Sequence, residues 1–328
     1  MKFIRHMFEL VTVGDCTMDT FLIIDDATLN KSIDKSHPKL CLNFAEKICV
    51  EGTHNSIGGN ASNVVVGAKK IGIDATIVSE IGDDFNGHII VESLQERNID
   101  TSYIHINKKR ETRYSIVLNY KSERTILSSH ANVPYTIHAF PKSQWLYYTS
   151  LGKSFEKIQK NIITYLKKNK DTKLAVNPGS YQITHGINTF KKILPYASIC
   201  FVNKEEAEKF VGNQSSIKAT ISALHKLGPH MVVITDGTNG SYASNGVNTY
   251  HMPTYGIKAI AKTGAGDAYT SGFLCAIIKG KDIQTAMQYG TANASGVIQK
   301  FGAQQGLLTE KQLHIIIAHE KKIIPKKI

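Results

Sequence analysis

One segment of the chain, KTGAGDAYTSGF at positions 262–273, has residue types and spacing that suit phosphate chemistry. Beyond Gly266, small and apolar residues recur at helical spacing, so the pattern predicts a helix that begins near the glycines. The amides of Gly264, Ala265 and Gly266 would lack intrahelical partners and lie at the positive end of the helix dipole, which makes an anion site. The chain has no P-loop sequence. The alternative explanation is a glycine turn with Asp267 at a helix start.

A second motif, NKEE at 203–206, follows a predicted strand. Asn203 and Glu206 have the spacing of a capping box, in which two side chains satisfy backbone amides at a helix start. A carboxylate at the end of a strand can also help to hold Mg²⁺ through its water shell beside nucleotide phosphates. Both interpretations of Glu206 are open from the sequence.

Two further turns follow predicted strands. TDGTNG at 235–240 has two glycines and is either a simple turn or a backbone surface for a nucleotide. GDCTMD at 14–19 contains Asp15 and Asp19, which are either exposed turn acids or acceptors of hydrogen bonds from substrate hydroxyls.

These motifs are placed by an alternation of strand-like and helix-like segments. The apolar runs of strand length lie at 10–15, 74–84, 144–151, 172–179, 198–203 and 230–237. A helical pattern follows each run, which predicts an α/β fold with a mostly parallel sheet covered on both faces. Ligands bind at the carboxyl ends of the strands in such folds, so the polar turns are the candidate site.

Residues 20–57 and 103–127 break this alternation. The first segment is long, polar and β-prone, and the second alternates polar and apolar residues as half-exposed antiparallel strands do. We expect the two segments to pair into a small sheet that stands off the main domain as a lid.

The composition limits the class of protein. No apolar run in the 328 residues approaches the ~18–20 residues of a membrane span. Five scattered cysteines and a start without a secretory signal pattern indicate a cytoplasmic protein with reduced thiols. The net charge of +12 raises the possibility of nucleic-acid binding. Solvated helix faces explain it better, because the lysines have mixed spacing and no interleaved aromatic residues.

Taken in order, the motifs resemble those of the ribokinase-like (PfkB) family of sugar and nucleoside kinases. The stretch from GGNASNVVVG to EIGDDFNG at 58–87 is similar to the family's N-terminal signature, and KTGAGDAYTSGF is similar to its C-terminal signature. NKEE matches the family's N-x-x-E motif, and FGAQQG at 301–306 matches the loop after its last long helix. The resemblance implies a single kinase domain over residues 1–328. It also implies a three-layer α/β/α fold with a β lid, and homodimers that form through the lid.

The resemblance implies a role for each matched position. Asp267 would be the catalytic base, and the amides of Gly264, Ala265 and Gly266 would form the anion hole. Glu206 would support Mg²⁺ through water. The implied ATP-binding residues are Asn203, Glu206, Thr235, Gly237, Gly240 and Asn293. The implied substrate-binding residues are Thr17, Asp19, Gly59, Asn60 and Asn63.

The sequence departs from the family pattern just before the glycines. Members commonly carry an Asp three residues before the first glycine, where it supports a monovalent cation, and this chain has Ala261 there. We therefore expect activity without added K⁺. Lys262 would either supply a fixed charge near the phosphates or face solvent.

The resemblance favours an ATP-dependent kinase that acts on the hydroxymethyl group of a sugar. The alternative is a nucleoside kinase that acts on a ribose 5′-hydroxyl. A base-stacking aromatic residue of the lid would distinguish them, and Phe21, Phe44 and Tyr114 are the candidates. A catalytically silent ligand-binding regulator is a further alternative, against which Asp267 and Glu206 are both present.

Overall fold

The computed structural model describes residues 6–30, 38–121, 123–129 and 133–328. The first eight strands are β1 (Phe8–Val13), β2 (Thr17–Ile23), β3 (Thr28–Asn30), β4 (Lys39–Cys41), β5 (Gly52–Gly58), β6 (Ala75–Gly82), β7 (Ile104–Asn107) and β8 (Arg113–Tyr120). The next eight are β9 (Glu123–Ser128), β10 (Ser143–Tyr148), β11 (Lys173–Val176), β12 (Ile199–Asn203), β13 (Met231–Thr235), β14 (Ser241–Ser244), β15 (Thr249–Met252) and β16 (Lys326–Lys327). The helices are α1 (Asn60–Lys70), α2 (Phe85–Glu96), α3 (Phe155–Lys168), α4 (Ser180–Phe190), α5 (Lys204–Val211), α6 (Ile217–His225), α7 (Ala265–Ile278), α8 (Ile283–Val297) and α9 (Glu310–His319).

Ten strands form one central sheet in the order β16-β15-β14-β13-β12-β11-β10-β1-β6-β7. Neighbours pair in parallel from β7 to β13 and antiparallel from β13 to β16. The prediction of a mostly parallel sheet is therefore confirmed. Because parallel strands end at the same edge, the turns after β1, β12 and β13 meet there.

Helices cover both faces of the central sheet. The core on one face includes residues of α1, α2, α7, α8 and α9, and the core on the other includes residues of α3, α4, α5 and α6. In β12, Ile199 and Phe201 belong to the first core, whereas Cys200 and Val202 belong to the second. Because side chains alternate across a strand, burial on both faces requires an unbroken apolar run.

A second sheet of four strands, in the order β5-β2-β8-β9, forms the lid. β2 pairs antiparallel with β5 and parallel with β8, and β8 pairs antiparallel with β9. β3 and β4 pair with each other as a separate two-stranded sheet. The predicted lid residues 31–37 and 122 lie outside the described residues. The lid thus combines strands from both predicted segments.

The predicted boundaries of the lid are wrong in two places. Ile104–Asn107 pairs in parallel with β6 and is the edge strand of the central sheet. The lid strands also extend from Thr17 to Ser128, slightly beyond the predicted limits. Alternating polar and apolar residues mark any strand with one exposed face, so the pattern did not distinguish a sheet edge from a lid.

No helix among the described residues is both long and apolar enough to cross a membrane.

Candidate active site

A cavity of about 1160 Å³ is lined by residues of the lid and of the carboxyl edge of the central sheet. It brings together nearly all of the residues that the sequence nominates. These are Thr17, Asp19, Gly59, Asn60, Asn63, Asn203, Glu206, Thr235, Gly237, Gly240, Gly264, Ala265, Gly266 and Asp267.

The start of α7 forms one wall of the cavity. Gly264 is the N-cap residue with φ 79°, and a Cβ there would collide with Ala303, so glycine is required for two reasons. The Ala268 amide donates to the Gly264 carbonyl at 2.9 Å, and the Ala265 amide donates to the Lys262 carbonyl at the long distance of 3.5 Å. The Gly264 and Gly266 amides have no partner among the described residues. A Cβ on Gly266 would meet no atom within 4 Å. The helix start therefore offers the unpaired amides of Gly264 and Gly266 and open space for an anion.

The Asp267 carboxylate lies at this helix start, deep in the cavity wall. Its Oδ2 accepts a hydrogen bond from Asn63 Nδ2 at 2.8 Å. Gln304 Nε2 donates to Asn63 Oδ1 at 3.0 Å and so fixes the orientation of that amide. The pKa of Asp267 is raised from 3.8 to about 6, mainly by burial. The hydrogen bond from Asn63 and the charge of Arg124 oppose this rise, and the charge of Asp19 adds to it. A carboxyl group with a pKa near neutrality is suited to take up a proton during catalysis.

We expect kcat/KM for the acceptor, at saturating MgATP, to fall as the pH drops below about 6, because Asp267 must be ionised to accept a proton. In an Asp19→Asn variant this acid limb should move to lower pH, since the charge that raises the pKa of Asp267 is gone. The measurement is a pH–rate profile of both proteins. An acid limb at the same pH in both would contradict the assignment of this limb to Asp267.

Asp19 and Thr17 on β2 line the lid side of the cavity. Thr17 Oγ1 donates to Asp19 Oδ1 at 3.0 Å, and burial raises the pKa of Asp19. Gly58 faces the Asp19 carboxylate so closely that a Cβ would collide with it, and Gly59 has φ 93°. The two glycines that precede α1 therefore let its first turn approach this acid.

Asp15 is also buried, so the exposed-turn interpretation of Asp15 and Asp19 is wrong. The two carboxylate oxygens of Asp15 accept hydrogen bonds from Arg113 Nη1 and from Tyr135 Oη, each at 2.6 Å. Asp15 is therefore engaged by protein groups that join β1 to the lid.

The carboxyl ends of β12 and β13 form the far end of the cavity. Asn203 Oδ1 accepts from the Glu206 amide at 2.8 Å, and Glu206 Oε2 accepts from the Asn203 amide at 2.9 Å. The capping box is thus present, and Glu206 still lines the cavity. Burial raises the pKa of Glu206 to about 7, the Asn203 hydrogen bond and Lys209 lower it, and the charge of Asp267 raises it.

The assignment of Asn293 to the nucleotide site is wrong. Asn293 is fully buried, and its amide donates to Ala268 O and Ser271 Oγ at 2.9 Å each. Its Oδ1 accepts from the Leu308 amide at 2.9 Å. The cavity is lined instead by Thr291, Ala294, Ser295 and Ile298. This spacing is one face of a helix, and position 293 points away from it towards α7.

The lid contributes residues that the sequence did not nominate. Arg113, Ser115 and Val117 of β8 and Arg124, Ile126 and Ser128 of β9 line the cavity. Alternation along the strands predicts such a set, but it does not tell which of the two faces turns inward. The aromatic candidates Phe21, Phe44 and Tyr114 are not among the cavity-lining residues of the part of the chain that the structure describes.

Lys262 lines the cavity and also pairs with the lid. Its Nζ lies 2.5 Å from Oε1 of Glu123 on the lid strand β9, and about half of its side chain is exposed. Ala261 is buried and has no side-chain oxygen to offer a cation.

Comparisons with known proteins agree with this fold. The model of the pfkB family of carbohydrate kinases matches residues 11–310. A 5-dehydro-2-deoxygluconokinase from Halalkalibacterium halodurans is 26% identical over 287 residues, which cover 81% of this chain and 87% of that protein. The structure of Arabidopsis thaliana ribokinase complexed with ribose and ATP superposes with a TM-score of 0.77 at 18% identity, covering 95% and 99% of the chains. A Burkholderia thailandensis nucleoside kinase in complex with inosine gives a TM-score of 0.75 at 14% identity, covering 96% and 100%.

The fold, the family match and the kinase-named relatives define a phosphotransferase whose acceptor is an alcohol group. The match of the pfkB family model to residues 11–310 covers most of the chain and identifies the family. The chain belongs to the PfkB family of carbohydrate kinases.

Proposed function

We propose that this kinase transfers the γ-phosphoryl group of ATP to the hydroxymethyl group of a sugar. The observation that carries the proposal is the position of Asp267. Its partly buried carboxyl group, with a pKa near 6, stands at the start of α7 and shares one cavity with Asp19 and Thr17.

The reaction balances with the residues at hand. The acceptor oxygen forms a bond to the γ-phosphorus, and the bond from phosphorus to the bridging oxygen of ADP breaks with its electron pair leaving on ADP. The hydroxyl proton passes to the Asp267 carboxylate. The amides of Gly264, Ala265 and Gly266 stabilise the negative charge on the transferred oxygens without reorganising.

Glu206 suits a Mg²⁺ ion that is held mainly by phosphates and water. The described residues contain no group of three His, Cys, Asp or Glu side chains that could hold a metal ion. Glu206 uses Oε2 to accept from the Asn203 amide, so its other oxygen is available to a metal-bound water. Mg²⁺ usually keeps several waters and is bound through one or two carboxylates and substrate phosphates. When bound there, it would neutralise phosphate charge.

No aromatic side chain from the described residues of the lid lines the cavity, which favours a sugar over a nucleoside. Among the described residues, the aromatic side chains that line the cavity are Phe201, Tyr255 and Tyr269, and none of them belongs to the lid. The Halalkalibacterium halodurans relative is named as a sugar-derivative kinase. The Burkholderia thailandensis neighbour was solved with inosine, so a nucleoside kinase is the second candidate.

A coupled ADP-release screen with MgATP tests the proposal. The acceptors are ribose, fructose, related hexoses and 5-dehydro-2-deoxygluconate, against adenosine, inosine, guanosine and cytidine. Turnover of a sugar that falls by roughly 10² or more in Asp267→Asn supports the proposal. Faster turnover of a nucleoside would favour the second candidate. Binding without turnover of any acceptor would favour the silent regulator, and steep salt-dependent RNA or DNA binding without turnover would favour a nucleic-acid partner.

We expect the activity to be independent of K⁺, because Ala261 replaces the acid that supports a cation in members activated by potassium, and it offers no side-chain oxygen. The measurement is a KCl titration at constant ionic strength, balanced with tetramethylammonium chloride. Strong activation by KCl, with no effect of the bulky cation, would refute this expectation.

The Mg²⁺ requirement, a homodimer through the lid and a cytoplasmic location stay predictions.

A further inference from the structure

The turn at residues 236–240, between β13 and β14, lines the cavity along its whole length. Its central residues, Gly237–Asn239, are exposed. The Asp236 amide donates to the Gly240 carbonyl at 2.8 Å and closes the turn. Exposed turns with few backbone hydrogen bonds open readily. Contacts from neighbouring elements therefore decide how well this turn keeps its shape.

Strand β15 packs against the turn at two successive residues. His251 Nε2 lies 2.8 Å from the carbonyl oxygen of Asn239. A carbonyl oxygen can only accept, so Nε2 carries a proton and donates it to this bond. Gly240 has φ 88°, and a Cβ on it would collide with the Met252 carbonyl. The turn is thus held by both a side chain and the backbone of β15.

The imidazole of His251 is itself fixed in place. β15 pairs with β14 along one edge and with β16 along the other, so that His251 lies opposite Tyr242 and opposite Lys326. The imidazole stacks on the Tyr242 ring, with the ring centroids 4.7 Å apart and an angle of 29° between the planes. A side chain that is already ordered by its neighbours loses little rotational freedom when it makes a hydrogen bond.

The other side-chain contacts of the turn are weaker. Asn239 Nδ2 donates to Asp236 Oδ2 at 3.2 Å, which is a contact within the turn. Lys204 Nζ lies 3.6 Å from Asp236 Oδ2, and about half of the lysine side chain is exposed. Exposed ion pairs of this kind contribute little, because water screens them. His251 therefore provides the short and directional contact from outside the turn.

We propose that His251 is a positioning residue for the nucleotide, whose hydrogen bond to Asn239 keeps the 236–240 turn in the shape that binds ATP. The proposal rests on the proposed function, in which ATP is the phosphoryl donor. His251 is not among the cavity-lining residues, so it acts through the turn.

This role has a defined kinetic signature. A turn that is held in its binding shape before the nucleotide arrives has a smaller ordering cost on binding. The saving is the same for the bound ground state and for the transition state, so its loss raises KM for ATP and leaves kcat unchanged. Asp267 and the acceptor are not affected.

Three variants separate the hydrogen bond from the packing of the ring. His251→Ala removes both. His251→Phe keeps a ring that can stack on Tyr242 but has no donor. His251→Gln has no ring, but its Nε2 can take the place of the imidazole Nε2 and donate to the same carbonyl.

We expect KM for MgATP to rise about fivefold in His251→Ala and in His251→Phe, since a neutral hydrogen bond is worth a factor of roughly 2–10. kcat and KM for the acceptor should change less than about twofold. His251→Gln should restore most of the affinity. The matched control is His225→Ala, because His225 Nε2 lies 3.2 Å from Ser244 Oγ at the other end of β14 and does not line the cavity. This control should keep the KM for MgATP of the wild type.

A binding measurement keeps this test separate from the identity of the acceptor. Calorimetric titration with MgADP needs no acceptor, and we expect the same fivefold loss of affinity in His251→Ala and His251→Phe. If the wild type binds MgADP but phosphorylates nothing in the screen, the proposed function fails and this comparison still decides on His251.

Two results would overturn the proposal. One is a His251→Phe variant that binds MgADP as tightly as the wild type, which would show that only the packing of the ring matters. The other is a loss of MgADP affinity in His251→Gln as large as that in His251→Ala, which would show that a donor at this position does not restore the turn.

Discussion

The Asp267→Asn variant is expected to lose roughly 10²–10⁴ in kcat while it binds MgATP as the wild type does. The amide cannot accept the hydroxyl proton, but its oxygen can still accept the hydrogen bond that Asn63 Nδ2 donates at 2.8 Å. The variant therefore removes proton acceptance at position 267 and keeps the hydrogen bond that orients the side chain. The measurements are steady-state turnover with the best acceptor of the screen and nucleotide binding by calorimetry. Turnover near that of the wild type would remove Asp267 from its role.

The same variant should be more thermostable at pH 8. In the folded protein the pKa of Asp267 is raised from 3.8 to about 6, so the folded state holds this proton more tightly than the unfolded state. Ionising the buried group as the pH rises from about 4 to about 6 therefore costs stability, up to about 3 kcal/mol. Asn avoids that cost, so its gain in Tm should be present at pH 8 and should disappear below about pH 4. A Tm difference that does not depend on pH would show that the carboxylate is not the cause.

Replacing Gly266 with Ala should lower kcat by roughly 10²–10³, the usual effect of losing one donor to a developing oxyanion, because a methyl group would occupy the open space in front of the helix start. Gly266 lies within α7 and has no positive φ. The substitution should thus leave the free energy of unfolding unchanged or raise it by up to about 1 kcal/mol. Turnover and thermal unfolding measured on the same preparation test both parts.

Gly280→Ala, just beyond the other end of α7, is the matched control. Its Cβ would also meet no atom within 4 Å, but Gly280 has φ 73°. We expect this variant to lose about 1 kcal/mol of stability and to keep its kcat, because only the backbone conformation is affected. If both variants lost activity equally, the loss in Gly266→Ala would come from the helix and not from the phosphate site.

The sequence predicts the parts of this protein that depend on local signals. The alternation of apolar runs with helical patterns predicted the parallel sheet, because a strand buried on both faces must be apolar throughout, as Ile199–Val202 is. Unbroken helical spacing after Gly266 predicted the start of α7. The capping box was likewise predicted from the types of Asn203 and Glu206 and their spacing of three residues.

Features that depend on contacts with residues distant in the chain could not be predicted from local sequence patterns. Strand Ile104–Asn107 was assigned to the lid, although it pairs with β6, because a half-exposed strand has the same pattern in either sheet. Asn293 was assigned to the nucleotide, although the helix turns it towards Ala268. In both cases the residue type was compatible with two environments.

The sequence by itself determined the class of fold, the helix start at Gly264 and the presence of an acid directly after two glycines. Only the tertiary structure decided what surrounds that acid. Asn63 donates a hydrogen bond to Asp267 from a segment far from it in the chain, and the charge of Arg124 acts on it from the lid. Burial among these elements is what raises the pKa of Asp267. The physical reason is that backbone propensities act over a few residues, whereas desolvation and charge coupling depend on which distant side chains share one cavity.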